Sequence, residues 1–229
     1  MKQVISSVEG APQPDAFHQR LLGAARPVWD AILSHPFLAT TADGSIPDHV
    51  FKTWMAQDYL FVREEIPFLG VLLSKAPPRL RPPLVEAAMA LNHELEVFRE
   101  QAKGRGVALD GVEMSPTCHA YVQFLMATAY GRSFEAGFTV LYGVEKAYLD
   151  SWAWVKANQR GPSPWQAFID NWTADAFQDY IAWLAATLDE LATGKLEADL
   201  ANMKELFLLT ARYEYLFWDM AASEETWPV

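Results

Sequence analysis

Apolar residues recur along this chain at spacings of three and four, and no stretch shows the strict alternation of a half-buried strand, so the pattern predicts helices throughout. After Asp15, the residues Phe17, Leu21, Leu22, Ala25, Val28, Trp29 and Ile32 mark a first helix. Pro27 is expected to kink or split it, and Ser34-His35-Pro36 to end it near Leu33. The segment TTADGSIPDHVF reads as a connector, with Asp43-Gly44 as a turn and Pro47 near the first turn of the next helix. That second helix carries Val50, Phe51, Trp54, Met55, Tyr59, Phe61, Val62 and Ile66, passes a kink at Pro67 and stops at Pro77-Pro78. A third runs from Pro82-Pro83 to Gly104. Ser115-Pro116 reads as an N-cap with proline at the first helical position, starting a fourth helix that Gly131 closes. The fifth covers Phe134 to about Ala157, the sixth Pro162-Ser163-Pro164 to Thr193-Gly194, and the seventh Leu196 to Ala222. About seven long helices joined by short Pro/Gly connectors make an all-α bundle.

At 229 residues the chain suits one core, and the expected division is a loose arm over 1–13 followed by a single helical domain over 14–229. Half the residues are apolar and nine are Trp, which points to a large core or an aromatic-lined small-molecule pocket. A net charge of −11 argues against a nucleic-acid partner, which needs clustered Lys and Arg. No segment offers eighteen uninterrupted apolar residues, so no membrane span is expected. The one cysteine, Cys118, excludes an intramolecular disulfide, suits a reducing compartment and, with no secretory h-region, predicts a cytoplasmic protein. Trp152, Trp154, Trp183 and Trp227 are candidates for a subunit contact.

Candidate chemistry gathers at a few acidic residues. Glu214 lies in FLLTARYEYLFWDMAA, bracketed by Tyr213 and Tyr215, and is either a solvated edge residue or a carboxyl held in an apolar pocket where desolvation raises its pKa. Asp58, Phe61 and Glu65 share one helical face, which either is the polar side of an amphipathic helix or offers a carboxylate beside a ring to a flat heterocycle. Glu145 and Tyr148 stand one turn apart, with Gly143 leaving room nearby, although Glu145 next to Lys146 also reads as a solvated pair. Cys118, near a helix start and beside His119, is read as a buried filler before a nucleophile. Glu86 and His93 point the same way and Glu145 would add a carboxylate, but this metal set is incomplete, and His93-Glu94 reads as an interhelix hydrogen-bonding pair. No metal or other cofactor is expected. His18, His35 and His49 have no ligand-like spacing and are assigned to the surface or to connectors.

Four stretches together resemble the TenA, or thiaminase II, family of haem-oxygenase-like helical bundles: HPFLATTADGSIPDHVFKTWMAQDYLF at 35–61, SPTCHAY at 115–121, VEKAYLDSW at 144–152 and RYEYLFWDMA at 212–221. The resemblance implies a haem-oxygenase-like fold and activity on the pyrimidine half of thiamin or its breakdown products, replacing a substituent on the exocyclic methylene by hydroxyl. It places Asp58 at the amino-pyrimidine edge and Glu214 as the acid/base glutamate. Tyr121 and Tyr148 match ring-stacking or hydrogen-bonding tyrosines, while Phe61 and Trp172 stand where the family has tyrosines. Val144 occupies the position of the thiaminase cysteine and Glu145 follows it, a pattern that looks like the cysteine-lacking, glutamate-bearing branch. The activity implied is hydrolysis of aminomethyl- or formylaminomethyl-pyrimidine toward hydroxymethylpyrimidine in thiamin salvage. In that reading Glu214 and Glu145 move the protons, and the protein forms a homo-oligomer, a dimer or tetramer. The alternatives are a pyrimidine-binding regulator that has lost catalysis and a haem-oxygenase-like di-iron oxidase.

Overall fold

The computed structural model describes residues 16–229, so the expected arm over 1–13 and the start of order near Pro14 lie outside the described residues. Among the described residues nine α-helices follow one another: α1 (Phe17–Leu33), α2 (Pro36–Asp43), α3 (Asp48–Lys75), α4 (Arg81–Gly104), α5 (Pro116–Gly131), α6 (Phe134–Asn158), α7 (Gln166–Asn171), α8 (Asp175–Ala192) and α9 (Glu197–Ser223). No strand occurs among the described residues. The helices surround a continuous apolar cluster in which α3 packs on α4 and α5, while α9 packs on α1, α3 and α6.

Most of the predicted boundaries hold. Ser115 caps α5 by accepting from the Cys118 N–H at 3.3 Å, with Pro116 in the first turn. Two differences have identifiable causes. The segment read as a connector contains the eight-residue α2, capped by His35, whose Nδ1 accepts from the Phe37 N–H at 3.2 Å. Pro36 therefore begins this helix as well as ending the previous one, and Gly44 closes it in the left-handed conformation at φ 78°. His35 is consequently a buried residue and not a surface connector; burial lowers its pKa against the opposing pull of Asp219. The predicted sixth helix is two, α7 and α8, separated by a turn at 172–174. Helices α1 and α3 run through Pro27 and Pro67 without being split.

The tryptophans went inward. Trp152 is fully buried inside the chain and so cannot be a subunit contact, while Trp154 and Trp183 are half-buried and pack against the core. Trp54, Trp152, Trp172 and Trp218 form one aromatic mass, with Trp152 and Trp172 stacked at 5.2 Å and Trp54 and Trp218 at 6.3 Å. Only Trp227 of the four is exposed, and its Nε1 donates to the Met114 carbonyl at 2.8 Å.

Candidate active site

Against that aromatic mass lies a small cavity of about 10 Å³, room for a single water. Helix α3 contributes Asp58, Phe61, Val62 and Glu65, α4 contributes Leu91 and Glu94, α6 contributes Val144, Glu145 and Tyr148, and the turn after α7 contributes Trp172. Five of the predicted site residues, Asp58, Phe61, Glu145, Tyr148 and Trp172, therefore meet in one place.

Asp58 is fully buried, and the Tyr148 hydroxyl donates to its Oδ1. Its Oδ2 has no hydrogen-bond partner. Burial pushes the Asp58 carboxyl up to about 8, against the smaller downward pull of the Tyr148 bond. Such a group is a neutral acid at pH 7, able to donate through one oxygen and accept through another.

Tyr121 and Glu214 stand beside this cavity without lining it. The Tyr121 hydroxyl donates to Glu214 Oε1 at 2.5 Å, its ring lies 4.8 Å from Phe61, and it stacks on Tyr213 at 4.8 Å. Glu214 is fully buried, so the solvated-edge reading of this residue fails. Its Oε2 is unpartnered, and desolvation raises its pKa well above the carboxylate range, with the charges of Asp58 and Glu65 adding to the rise.

Glu145 is likewise buried and unpaired with Lys146, which instead binds Asp150 at 2.5 Å. Desolvation and then the charges of Glu94 and Glu214 push Glu145 up to about 8. The Tyr180 hydroxyl from α8 lies beside it, outside hydrogen-bond geometry. Gly143 does not leave room for a ligand. A Cβ there would meet Thr210 Cγ2 at 2.9 Å, so the glycine lets α6 and α9 approach closely.

Sequence reasoning put Glu65 on the face shared with Asp58 and Phe61 without giving it a role, and missed Glu94 as a site member. Glu65 is 3% exposed and its Oε1 has no partner, and Glu94 is part-exposed as a residue while its carboxyl is desolvated beside Asn171 and Trp172. Both are raised well above the carboxylate range, first by desolvation and then by each other's neighbours: Glu145 and Asp58 act on Glu65, Asp58 and Glu65 on Glu94. The expected His93-Glu94 pair is not made; His93 is exposed and faces Glu96 at 3.4 Å.

The thiol and metal candidates are placed elsewhere. Cys118 is fully buried, contacts the Gln57 carbonyl at 3.5 Å, and burial drives its pKa upward, which makes it an inert filler. Gln57 is structural: its amide binds the Ser115 N–H at 2.9 Å and the Glu113 carbonyl at 3.0 Å, tying the loop before α5 to α3. Glu86 and His93 are exposed on α4 and Glu145 is inside, and among the described residues no group of three His, Cys, Asp or Glu is arranged to hold a metal ion.

Residues 22–224 match the TENA/THI-4/PQQC family. The chain belongs to that family. A TenA homologue from Pyrococcus furiosus superposes with a TM-score of 0.88 at 34% identity, covering 90% of this chain and 99% of that one. Aminopyrimidine aminohydrolase of Halalkalibacterium halodurans is 28% identical over 221 residues, 93% of this chain and 98% of the relative. A protein of unknown function from Shewanella denitrificans with a haem-oxygenase-like fold, 12% identical, matches at a TM-score of 0.71 over 90% of this chain and 92% of its own, a likeness of fold alone. Within the TenA-like scaffold the lining side chain at 144 is valine, which carries no thiol.

Proposed function

We infer that the protein hydrolyses an aminopyrimidine of thiamin breakdown, aminomethyl- or formylaminomethyl-pyrimidine, to hydroxymethylpyrimidine in thiamin salvage. The observation that carries this reading is the bare Oδ2 of Asp58, held on the cavity by the Tyr148 bond to its other oxygen. A neutral carboxyl there offers one donor and one acceptor to the ring nitrogen and amino group of an aminopyrimidine edge. Phe61, Tyr148 and Trp172 supply apolar faces for the ring, and Tyr121 supports the site through Glu214. The name of the Halalkalibacterium relative supports the same substrate class.

For the free amine, water oxygen bonds to the exocyclic methylene as the carbon–nitrogen bond breaks, a carboxyl protonates the departing nitrogen, and a carboxylate takes the water's proton. The products are the alcohol and ammonia. Glu214 and Glu145 are the assigned pair, because their raised pKa values keep a proton available at neutral pH. Glu214→Gln should abolish ammonia or formate release from the aminopyrimidine substrates while the fold survives; full activity in that variant overturns the assignment.

The assembly is a homo-oligomer, dimer or tetramer, and the location is the cytoplasm. Support for assembly is an apolar groove of about 420 Å³ between α3 and α4, where Leu69, Leu73, Leu84 and Val85 surround Met89, itself 69% exposed. Support for the location is the single, unpaired thiol. Light scattering of the wild type and of Met89→Glu checks the assembly: a monomer in both cases refutes it, and dissociation on substitution supports this groove as the contact.

A further inference from the structure

The α4 side of the cavity is built differently from the Asp58 side. Three carboxyls, Glu65, Glu94 and Glu145, come from three different helices to line the same small space, and none of the lining residues is Lys, Arg or His. Burying these carboxyls together without a cation leaves them protonated, because ionising any one is opposed by desolvation and by its neighbours, and a bound cation would reverse that balance. Local bonding does not do so. Glu65 is 3% exposed, lines the cavity and leaves Oε1 without any partner. Glu145 has only Tyr180 beside it, outside hydrogen-bond geometry, and Glu94 has only Asn171 and Trp172. An occupant that satisfies this wall must bring positive charge and several N–H donors.

Two kinds of cation meet that description, and the geometry separates them. A metal ion needs its ligands converging on one point, and no such convergence exists among the described residues. An ammonium group reaches three separate acceptors through three rotatable N–H donors. We propose that Glu65, Glu94 and Glu145 form a receptor for the exocyclic nitrogen of the substrate in its ammonium form, so that the site selects the free amine over N-acylated relatives. This rests on the functional reading above, which puts the ring against Asp58 and leaves the exocyclic substituent to face α4 and α6.

The selection follows from donor count and charge. A primary amine on a methylene is protonated at neutral pH and offers three charge-assisted bonds. A formylamino group is neutral and offers a single N–H, leaving two buried carboxyls unsatisfied. The ammonium is also the form in which a carboxyl has already given the departing nitrogen its proton: the carbon–nitrogen electron pair leaves with the nitrogen as ammonia, and the incoming water loses one proton to the carboxylate so formed. Glu65 and Glu94 are thereby specificity residues, with Glu145 shared between the receptor and the proton transfer.

The test compares aminomethylpyrimidine with hydroxymethylpyrimidine, which share the ring and differ in the cation, by calorimetric affinity on the whole protein. The wild type should bind the amine about 10- to 100-fold more tightly than the alcohol. In Glu65→Gln and Glu94→Gln that ratio should fall at least about tenfold, reflecting one charge-assisted partner removed. A general loosening of the pocket would weaken both ligands and leave the ratio where it was, and that result overturns the proposal. So does a wild type that binds the alcohol or the formylamino compound as tightly as the amine, or one that binds neither ring. Because affinity is read without turnover, a protein that discriminates the amine yet releases no ammonia would refute the catalytic assignment and leave the receptor standing.

Discussion

Raising the pH from about 6.5 to about 7.5 should destabilise this protein, the reverse of the near-flat response expected where carboxylates have already titrated. Asp58 and Glu145 both have folded pKa values of about 8, from ordinary values of 3.8 and 4.5. In that interval each holds its proton when folded and has lost it when unfolded. The folded state therefore binds more protons, and stability must fall as pH rises. The contribution is complete below the unfolded values near 4 and is lost as pH climbs through the folded values near 8. Each such group costs about 1.4 kcal/mol per pH unit. Because Glu145 shares its surroundings with Glu65 of α3, Glu94 of α4, Glu214 of α9 and Tyr180 of α8, the two together give between about 1.4 and about 2.7 kcal/mol per unit. For a chain of this length that is a fall in Tm of roughly 3 to 10 °C per pH unit. His35, whose pKa is lowered on folding, acts with the opposite sign, and its opposing contribution fades as the pH rises above the ordinary histidine value of 6.5. Differential scanning calorimetry of the wild type and Glu145→Gln measures the slope directly. The variant should lose one group's share of it, about 1.4 kcal/mol per pH unit at most, and a wild-type Tm that is flat or rising across the interval would refute the buried, proton-holding cluster.

Tyr148→Phe removes the only hydrogen bond made to Asp58 among the described residues, so the Asp58 pKa should rise further and the pyrimidine-holding carboxyl lose its fixed orientation; KM should increase about tenfold, read from steady-state kinetics. Gly143→Ala places a methyl 2.9 Å from Thr210 Cγ2 at the α6–α9 contact, and urea denaturation should show a loss of about 1 to 3 kcal/mol. Gly143→Ala combined with Thr210→Ser, which removes the obstructing methyl, should regain most of that loss, whereas an unrelieved double variant would show that the close approach is not what the glycine provides.

The helical architecture was written in local chemistry wherever that chemistry is of a common kind. Ser115-Pro116 at the start of α5 and Gly131 at its end belong to one short stretch each, and the periodicity between them needs no partner. Helix α2 escaped because its cap is a histidine ring, and because the Pro36 that starts it also stops α1. The division of α7 from α8 escaped for the contrary reason: Trp172-Thr173-Ala174 contains no Gly or Pro, and the apolar spacing continues across the turn. In the site, Asp58 and Tyr148 were identifiable through the resemblance to TenA proteins. Glu65 was legible only as a neighbour of Asp58 on one helical face and Glu94 not at all, since a glutamate on an amphipathic helix looks solvated until the helices facing it are known. What makes Glu94 a pocket residue is Trp172, far away in sequence, and nothing in the α4 pattern announces it.

A space of about 10 Å³ also has a bearing on time. It admits a water and not a six-membered ring, so every capture and every release requires the walls to part. Trp172, set in the turn between a six-residue helix and its successor, is one of those walls, and its indole packs on Trp152 at 5.2 Å and on Tyr148 at 5.5 Å. Association would then run at the frequency with which such packed walls separate, well below the diffusional ceiling. A protein of this design meters its substrate at the door.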